Sequence, residues 1–184
     1  MGDSTKRKIK KSYQFIAMEN RVVIYDNAFT KTEIEKYRNI LKRCPLQYGE
    51  MDRIGTKPTG LTCDFADSNN RYTPMLNKIL SKIYDKEPLL KNMKMFRTYI
   101  NLFLPGENPY FHTDGDGTVT CMVYVNPPTD YDEGGETQFI LEGEINCVRS
   151  IPGRLVIFDG KIEHRATSFR NIPRITLIFK FTYE

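Results

Sequence analysis

The chain has 184 residues and contains only two histidines, and both stand in patterns that suit metal ligation. His112 lies two residues before Asp114, and His164 follows much later in the chain. Side chains at positions i and i+2 of a strand point to one face, so His112 and Asp114 are predicted to project together from one strand end, about 7 Å apart at the backbone. With His164 as the third ligand, one side of the metal would stay open, as in mononuclear Fe(II) sites.

The ligand pattern leaves two alternatives open at this point. Zinc also accepts two histidines and one carboxylate. Asp116 is a rival to Asp114 as the carboxylate ligand, but it follows Gly115 and is expected to belong to a turn. The spacing therefore favours Asp114.

Arg174 begins the last apolar run of the chain, ten residues after His164. Strand alternation places Arg174 on one face with Thr176, Ile178 and Lys180, and no acidic residue on that face neutralises it. Burial of a charged arginine inside a β-sandwich costs folding free energy unless the guanidinium is paired with an anion. A bound dicarboxylate could accept a bidentate contact from it. The alternative is an arginine at the rim, in a surface salt bridge.

The sequence pattern of the first half of the chain predicts one strand and two helices. Residues 21–25 form an apolar β-type run. Thr30 and Glu33 are spaced as a capping box, which predicts a helix that ends near Arg43. A second helix is predicted with Thr73 as its N-cap. Between the helices, residues 46–70 predict a long connection with one short strand, and we expect it to lie beside the metal site as a binding loop.

The second half of the chain predicts a mostly β structure with the two helices packed outside it. Short apolar runs are separated by turn residues, without an intervening helix, which favours an antiparallel sandwich, jelly roll or barrel. These runs cover residues 95–104, 118–126, 136–141, 145–149, 154–159, 164–169 and 174–182.

The segment from about Phe96 to Phe181 resembles the 2-oxoglutarate/Fe(II)-dependent dioxygenases, in particular the prolyl 4-hydroxylase-like branch. The matching motifs are HTD (112–114), TCMVYVN (120–126), GGETQF (134–139), PGRLVIFDG (152–160), His164 and Arg174. The resemblance implies a double-stranded β-helix, or cupin-like jelly roll. It also implies an Fe(II) enzyme that uses 2-oxoglutarate and O2, with ascorbate as reductant, to hydroxylate a peptide or protein residue, most often proline.

The same resemblance assigns a role to each matching position. It implies that iron is held by His112, Asp114 and His164, and that 2-oxoglutarate is bound by Arg174, Tyr124, Thr137 and Thr176. The chain departs from the branch at Leu102–Gly106, which lacks the tyrosine that prolyl hydroxylases place before the first ligand. Its end is also similar to AlkB-type nucleic-acid demethylases, with Lys180 where they carry a second arginine. These departures leave the substrate open.

Two other functions are therefore kept beside the peptide hydroxylase. One is an AlkB-like oxidative demethylase of nucleic acid, which a basic tail would suit. The other is a cupin-like binding protein without turnover, which would give no account of Arg174.

Charge and composition indicate one domain with a basic tail. The net charge of +4 resides in residues 1–12, where five basic residues face Asp3, so residues 13–184 are formally neutral. We expect a disordered tail over 1–12 and a single domain over 13–184. The four scattered cysteines exclude a C-x-x-C zinc site. The sequence shows no apolar leader and no stretch of about 20 apolar residues, so a cytoplasmic protein is expected.

Overall fold

The computed structural model describes residues 20–65 and 71–183. In these residues two α-helices cover one face of an antiparallel β-structure. None of the helices there is long and apolar enough to cross a membrane. The predicted basic tail, residues 1–12, lies outside the described residues and stays a prediction.

Helix α1 (Lys31–Leu41) begins with the predicted capping box. The Thr30 hydroxyl accepts a hydrogen bond from the Glu33 amide at 3.3 Å, and the Glu33 carboxylate accepts one from the Thr30 amide at 2.9 Å. These two bonds satisfy amide groups that have no partner inside the helix.

Helix α2 (Thr73–Lys86) differs from the prediction at its first turn. The N-cap is Tyr72 rather than Thr73, and no side chain caps the helix. The Tyr72 ring is buried, and its hydroxyl bonds to the Arg43 carbonyl at 3.2 Å. Burial of an aromatic side chain is worth about 1.5–3 kcal/mol, which exceeds the roughly 1 kcal/mol of a cap.

Within the described residues, ten strands form two antiparallel sheets. The larger sheet has the order β1-β8-β5-β10-β4-β3-β2 and the smaller one the order β7-β6-β9. The strands are β1 (Val22–Tyr25), β2 (Gln47–Tyr48), β3 (Leu61–Asp64), β4 (Lys94–Phe103), β5 (Thr118–Tyr124), β6 (Thr137–Leu141), β7 (Glu144–Val148), β8 (Leu155–Asp159), β9 (His164–Ala166) and β10 (Arg174–Thr182). The described part of the 46–70 connection, residues 46–65, thus contains two short strands, where one was predicted.

Alternation along the central strands divides the core into two layers. In β5, Val119, Cys121 and Val123 face the helices, whereas Met122 and Tyr124 lie between the two sheets. Phe139 of the small sheet packs edge-on against Phe158 of the large one, with ring centroids 5.1 Å apart. Two facing antiparallel sheets with helices outside confirm the predicted double-stranded β-helix.

Candidate metal centre

The two histidines and Asp114 meet at one end of the space between the sheets. His112 and Asp114 do not sit on a strand as predicted, but in the connection between β4 and β5. Gly115 and Gly117 both have positive φ, so the chain turns there before β5 and an extended strand cannot persist. A single antiparallel bridge remains, in which His112 and His164 exchange backbone hydrogen bonds of 3.0 and 2.9 Å.

The side chains of these three residues present a compact set of ligand atoms. One atom from each of His112, Asp114 and His164 lies within 4.8 Å of the others. Nδ1 of His112 lies 3.1 Å from the Tyr110 carbonyl, and Nδ1 of His164 lies 2.8 Å from the Ile162 carbonyl. A proton on each Nδ1 satisfies these contacts and leaves both Nε2 atoms free to bind a metal. The exposed Asp116 is not part of the group.

The Asp114 carboxylate is bound on both oxygens. Lys180 Nζ lies 2.7 Å from Oδ1, and the Thr120 hydroxyl donates to Oδ2. Burial opposes ionisation of Asp114, but the pKa of this carboxyl is lowered by the nearby charge of the Lys180 ammonium and by hydrogen bonds from Lys180 and Thr120. Burial lowers the pKa of His164 to about 4, so His164 is neutral at pH 7 and Lys180 supplies the opposing charge. At neutral pH the site therefore offers the neutral imidazole of His164, the imidazole of His112 and one carboxylate.

Arg174 lies deeper between the sheets and is 1% exposed. Its Nε donates to the Gly135 carbonyl at 2.9 Å and its Nη2 to the Thr137 hydroxyl at 2.7 Å. Within residues 20–65 and 71–183 it forms no salt bridge, and burial lowers its pKa. A buried guanidinium without a carboxylate partner is the arrangement that a bound anion would stabilise.

The other predicted co-substrate residues surround Arg174. The Tyr124 hydroxyl lies 2.6 Å from the Thr137 hydroxyl, and the Tyr124 ring lies 5.4 Å from the guanidinium carbon of Arg174. Thr176 is buried on the same strand. The glycine pair in the GGET motif has a structural role, because Gly135 supplies the carbonyl that orients Arg174.

One inner cavity joins the metal group to Arg174. We call it the chamber, and its lining includes His112, Asp114, His164, Thr137, Arg174 and Thr176. Asn101 also lines it, and its side-chain oxygen is buried without a hydrogen-bond partner among the described residues. An orphaned polar atom of this kind is expected where a ligand binds. A larger cavity of about 850 Å³ lies elsewhere, near Asn20 and Lys161, and contains none of these groups.

The chamber opens to solvent through a second cavity of about 190 Å³, which we call the mouth. Residues 49–60, the mouth loop, form part of its wall, as predicted for the 46–70 connection. Asp52 fixes this loop, because it accepts hydrogen bonds from the Tyr110 amide and the Thr59 hydroxyl, both at 2.9 Å. Arg53 adds a hydrogen bond to the Phe111 carbonyl, directly before His112.

The sequence interpretation missed two contacts at the site. Lys180 was predicted to share a face with Arg174, but its ion pair with Asp114 was not predicted. Thr120 is the first residue of the TCMVYVN motif, and no role was predicted for it. Both contacts follow from strand register, which the sequence spacing does not contain: Lys180 and Thr120 are paired residues on adjacent strands, and both donate to Asp114.

The fold is similar to the folds of several solved structures. No protein-family model matches the chain, and no curated protein matches its sequence. A 2OG-Fe(II) oxygenase family oxidoreductase from Burkholderia pseudomallei aligns with a TM-score of 0.71 at 16% identity, over 89% of this chain and 86% of that one. A Pseudomonas putida prolyl-4-hydroxylase aligns with a TM-score of 0.67 at 17% identity, over 89% and 92%.

A third solved structure contains a bound peptide. It is a prolyl hydroxylase from Trichoplax adhaerens in complex with a hypoxia inducible factor oxygen degradation domain peptide fragment. It aligns with a TM-score of 0.70 at 15% identity, over 98% of this chain and 94% of that one. At these identities the comparisons establish the double-stranded β-helix fold, and function must be argued from the site.

Proposed function

We propose that the protein is an Fe(II)- and 2-oxoglutarate-dependent dioxygenase that hydroxylates a peptide or protein, with proline as the preferred residue. The buried, carboxylate-free Arg174 carries this proposal, because it shares one chamber with a two-histidine, one-carboxylate group. A dicarboxylate could bind the metal through one end and Arg174 through the other. The solved prolyl hydroxylases with this fold support the choice of reaction.

The residues present fit the implied metal and co-substrate. Iron would be held by His112, Asp114 and His164, whose donor types suit Fe(II), and it would supply the oxidative chemistry together with 2-oxoglutarate and O2. Ascorbate is proposed as the reductant. Zinc remains compatible with the ligand types, but it would not account for a buried anion site beside the metal.

The protein's own groups position the reactants and exclude water. Arg174 and the Thr137 hydroxyl would bind the distal carboxylate of 2-oxoglutarate, while Tyr124 and Thr176 complete the polar wall of that end. Phe158 and Ile178 add apolar side chains to the chamber lining. The low dielectric there strengthens the contact between Arg174 and the carboxylate.

The mouth favours a polypeptide over a nucleic acid. Its lining carries the carboxylates of Glu50, Asp52 and Asp114; Arg97 pairs with Glu50 and Lys180 with Asp114, so no lysine or arginine among the described lining residues is left to neutralise a phosphate. Phosphate groups would be repelled there, whereas nucleic-acid affinity depends on phosphate neutralisation. Met51 lines the mouth and Ile54 of the same loop is fully exposed, which gives an extended peptide apolar contacts.

The reaction is tested with purified protein, Fe(II), ascorbate and 2-oxoglutarate. We expect succinate formation by the wild type and none by His112→Ala, and a mass gain of one oxygen atom on a proline peptide. The alternative, an oxidative demethylase of nucleic acid, is tested in parallel with oligonucleotides. These assays use two salt concentrations and the protein with or without residues 1–12. Salt-sensitive, tail-dependent activity on oligonucleotides alone would replace the peptide assignment, and absence of succinate in every assay would refute the enzyme.

A further inference from the structure

We infer that Lys180 is a positioning residue that lowers the affinity of the site for the metal and raises the affinity of the metal-loaded site for the co-substrate. Lys180 holds the Asp114 side chain in place and offsets its negative charge. Because of this positive charge, a free divalent metal binds more weakly. For the same reason, the 2-oxoglutarate dianion binds more tightly once the metal is present. This inference rests on the proposed function, since it assumes that the metal and 2-oxoglutarate bind in the chamber.

The geometry around Asp114 supports the positioning role. Its side chain is 4% exposed, and Lys180 Nζ and the Thr120 hydroxyl bind opposite oxygens. Lys180 and Thr120 are directly paired between β10 and β5, so adjacent strands of the rigid sheet supply the two donors. The connection that carries Asp114 is thereby anchored to the sheet through its side chain.

The electrostatics support the shift in affinity. Lys180 contacts Asp114 directly, and the other carboxylates of the mouth lining, Glu50 and Asp52, are the same with and without Lys180. Asp114 and Lys180 cancel, −1 + 1 = 0, so a divalent cation gains little from their combined charge. A dianion that enters after the metal meets a site that is more positive by one charge than it would be without Lys180.

The experiment measures two affinities without turnover. Mn²⁺ binding in the absence of 2-oxoglutarate is followed by electron paramagnetic resonance of the free ion, and 2-oxoglutarate binding to the Mn²⁺-loaded protein is followed by calorimetry without oxygen. Lys180→Met should bind Mn²⁺ more tightly and 2-oxoglutarate more weakly, each by roughly tenfold. Lys180→Arg should restore both affinities toward those of the wild type.

Further variants separate charge from packing. Lys180→Gln keeps a hydrogen-bond donor without the charge and should shift both affinities in the same directions as Lys180→Met, so it serves if the methionine variant does not fold. Thr120→Val removes the donor to the other oxygen and leaves the charge, so it should weaken Mn²⁺ binding. Lys36→Met, on the exposed face of α1, is the matched control and should change neither affinity.

The outcomes distinguish the inference from the proposal on which it rests. If the neutral Lys180 variants weaken both affinities, or change neither, Lys180 has no such electrostatic role, and the inference is overturned. If the wild type binds neither Mn²⁺ nor 2-oxoglutarate, the proposed function itself fails.

Discussion

The Arg174 guanidinium donates to the Thr137 hydroxyl at 2.7 Å, and this pair joins the large sheet to the small one inside the chamber. Arg174 begins β10 and Thr137 begins β6. Among the described residues, no carboxylate forms a salt bridge with this guanidinium.

Arg174→Ala is expected to raise the KM for 2-oxoglutarate by roughly ten- to a hundredfold, because a hydrogen bond to a charged group is worth about 1.5–3 kcal/mol. Arg174→Lys should recover part of the loss, since lysine keeps the charge but cannot form the bidentate contact. Initial rates of succinate formation against 2-oxoglutarate concentration measure both. An unchanged KM in a folded alanine variant would remove Arg174 from the co-substrate site.

Asp114→Ala should lose iron-dependent succinate formation, whereas Asp116→Ala should retain most of it. Asp114 lies within 4.8 Å of both histidine ligand atoms, and Asp116 is exposed outside the group. His112→Ala and His164→Ala should be as inactive as Asp114→Ala. The reverse result for the two aspartates would move the carboxylate ligand to Asp116.

Gly135→Ala should destabilise the protein by about 1–3 kcal/mol, the usual cost of overpacking, and weaken 2-oxoglutarate binding. Gly135 has φ +78°, and a Cβ there would lie 2.2 Å from the Phe169 ring. The matched control is Gly143→Ala, which has φ +81° but no heavy atom within 4 Å of the added carbon. Denaturant unfolding should show a larger loss at 135 than at 143; equal losses would argue against the ring contact.

Met51→Ser with Ile54→Ser should raise the KM for a peptide substrate and leave the KM for 2-oxoglutarate unchanged. Both side chains are exposed on the mouth loop, at 51% and 102%, whereas Arg174 lies deep in the chamber. Ile145→Ser, 55% exposed on β7, removes a similar apolar surface elsewhere and serves as the control. If Ile145→Ser raises the peptide KM as much as the double variant does, the mouth loop does not recognise the substrate.

Thr30→Ala should lower the free energy of unfolding by about 1 kcal/mol, as expected for an N-cap. Glu33 forms the other half of the box, and its pKa is lowered by hydrogen bonds from Lys82 and Thr30. Its folded pKa lies below its unfolded value near 4.5, so its contribution is present above that pH and is lost as the pH falls through the folded pKa. The difference in free energy of unfolding between wild type and Glu33→Gln should therefore shrink as the pH is lowered from 7 through the folded pKa of Glu33, as denaturant unfolding at a series of pH values would show.

The sequence predicted the periodic parts of the structure better than the irregular ones. The capping box of α1 and the alternation of β5 and β10 were readable because they depend on local spacing. The strand assignment of His112 and Asp114 was wrong, since the turn at Gly115 and Gly117 overrides the i, i+2 pattern. The N-cap of α2 was also wrong, because burial of Tyr72 is a tertiary effect.

The candidate site shows the same division between local and tertiary information. The pattern predicted which residues could meet, and the structure brings His112, Asp114, His164 and Arg174 to one chamber. The contact of Lys180 with Asp114 depends on strand register and on the path of the connection between β4 and β5. Neither can be derived from the spacing of residues along one chain.

The backbone bridge between His112 and His164 has a consequence for how the site tolerates change. The two residues are joined directly by backbone hydrogen bonds, so the distance between them does not depend on the length of chain between them. Loops within that interval could lengthen or shorten while the imidazoles keep their spacing. The binding surface around the opening could therefore diversify without redesign of the metal-binding pair.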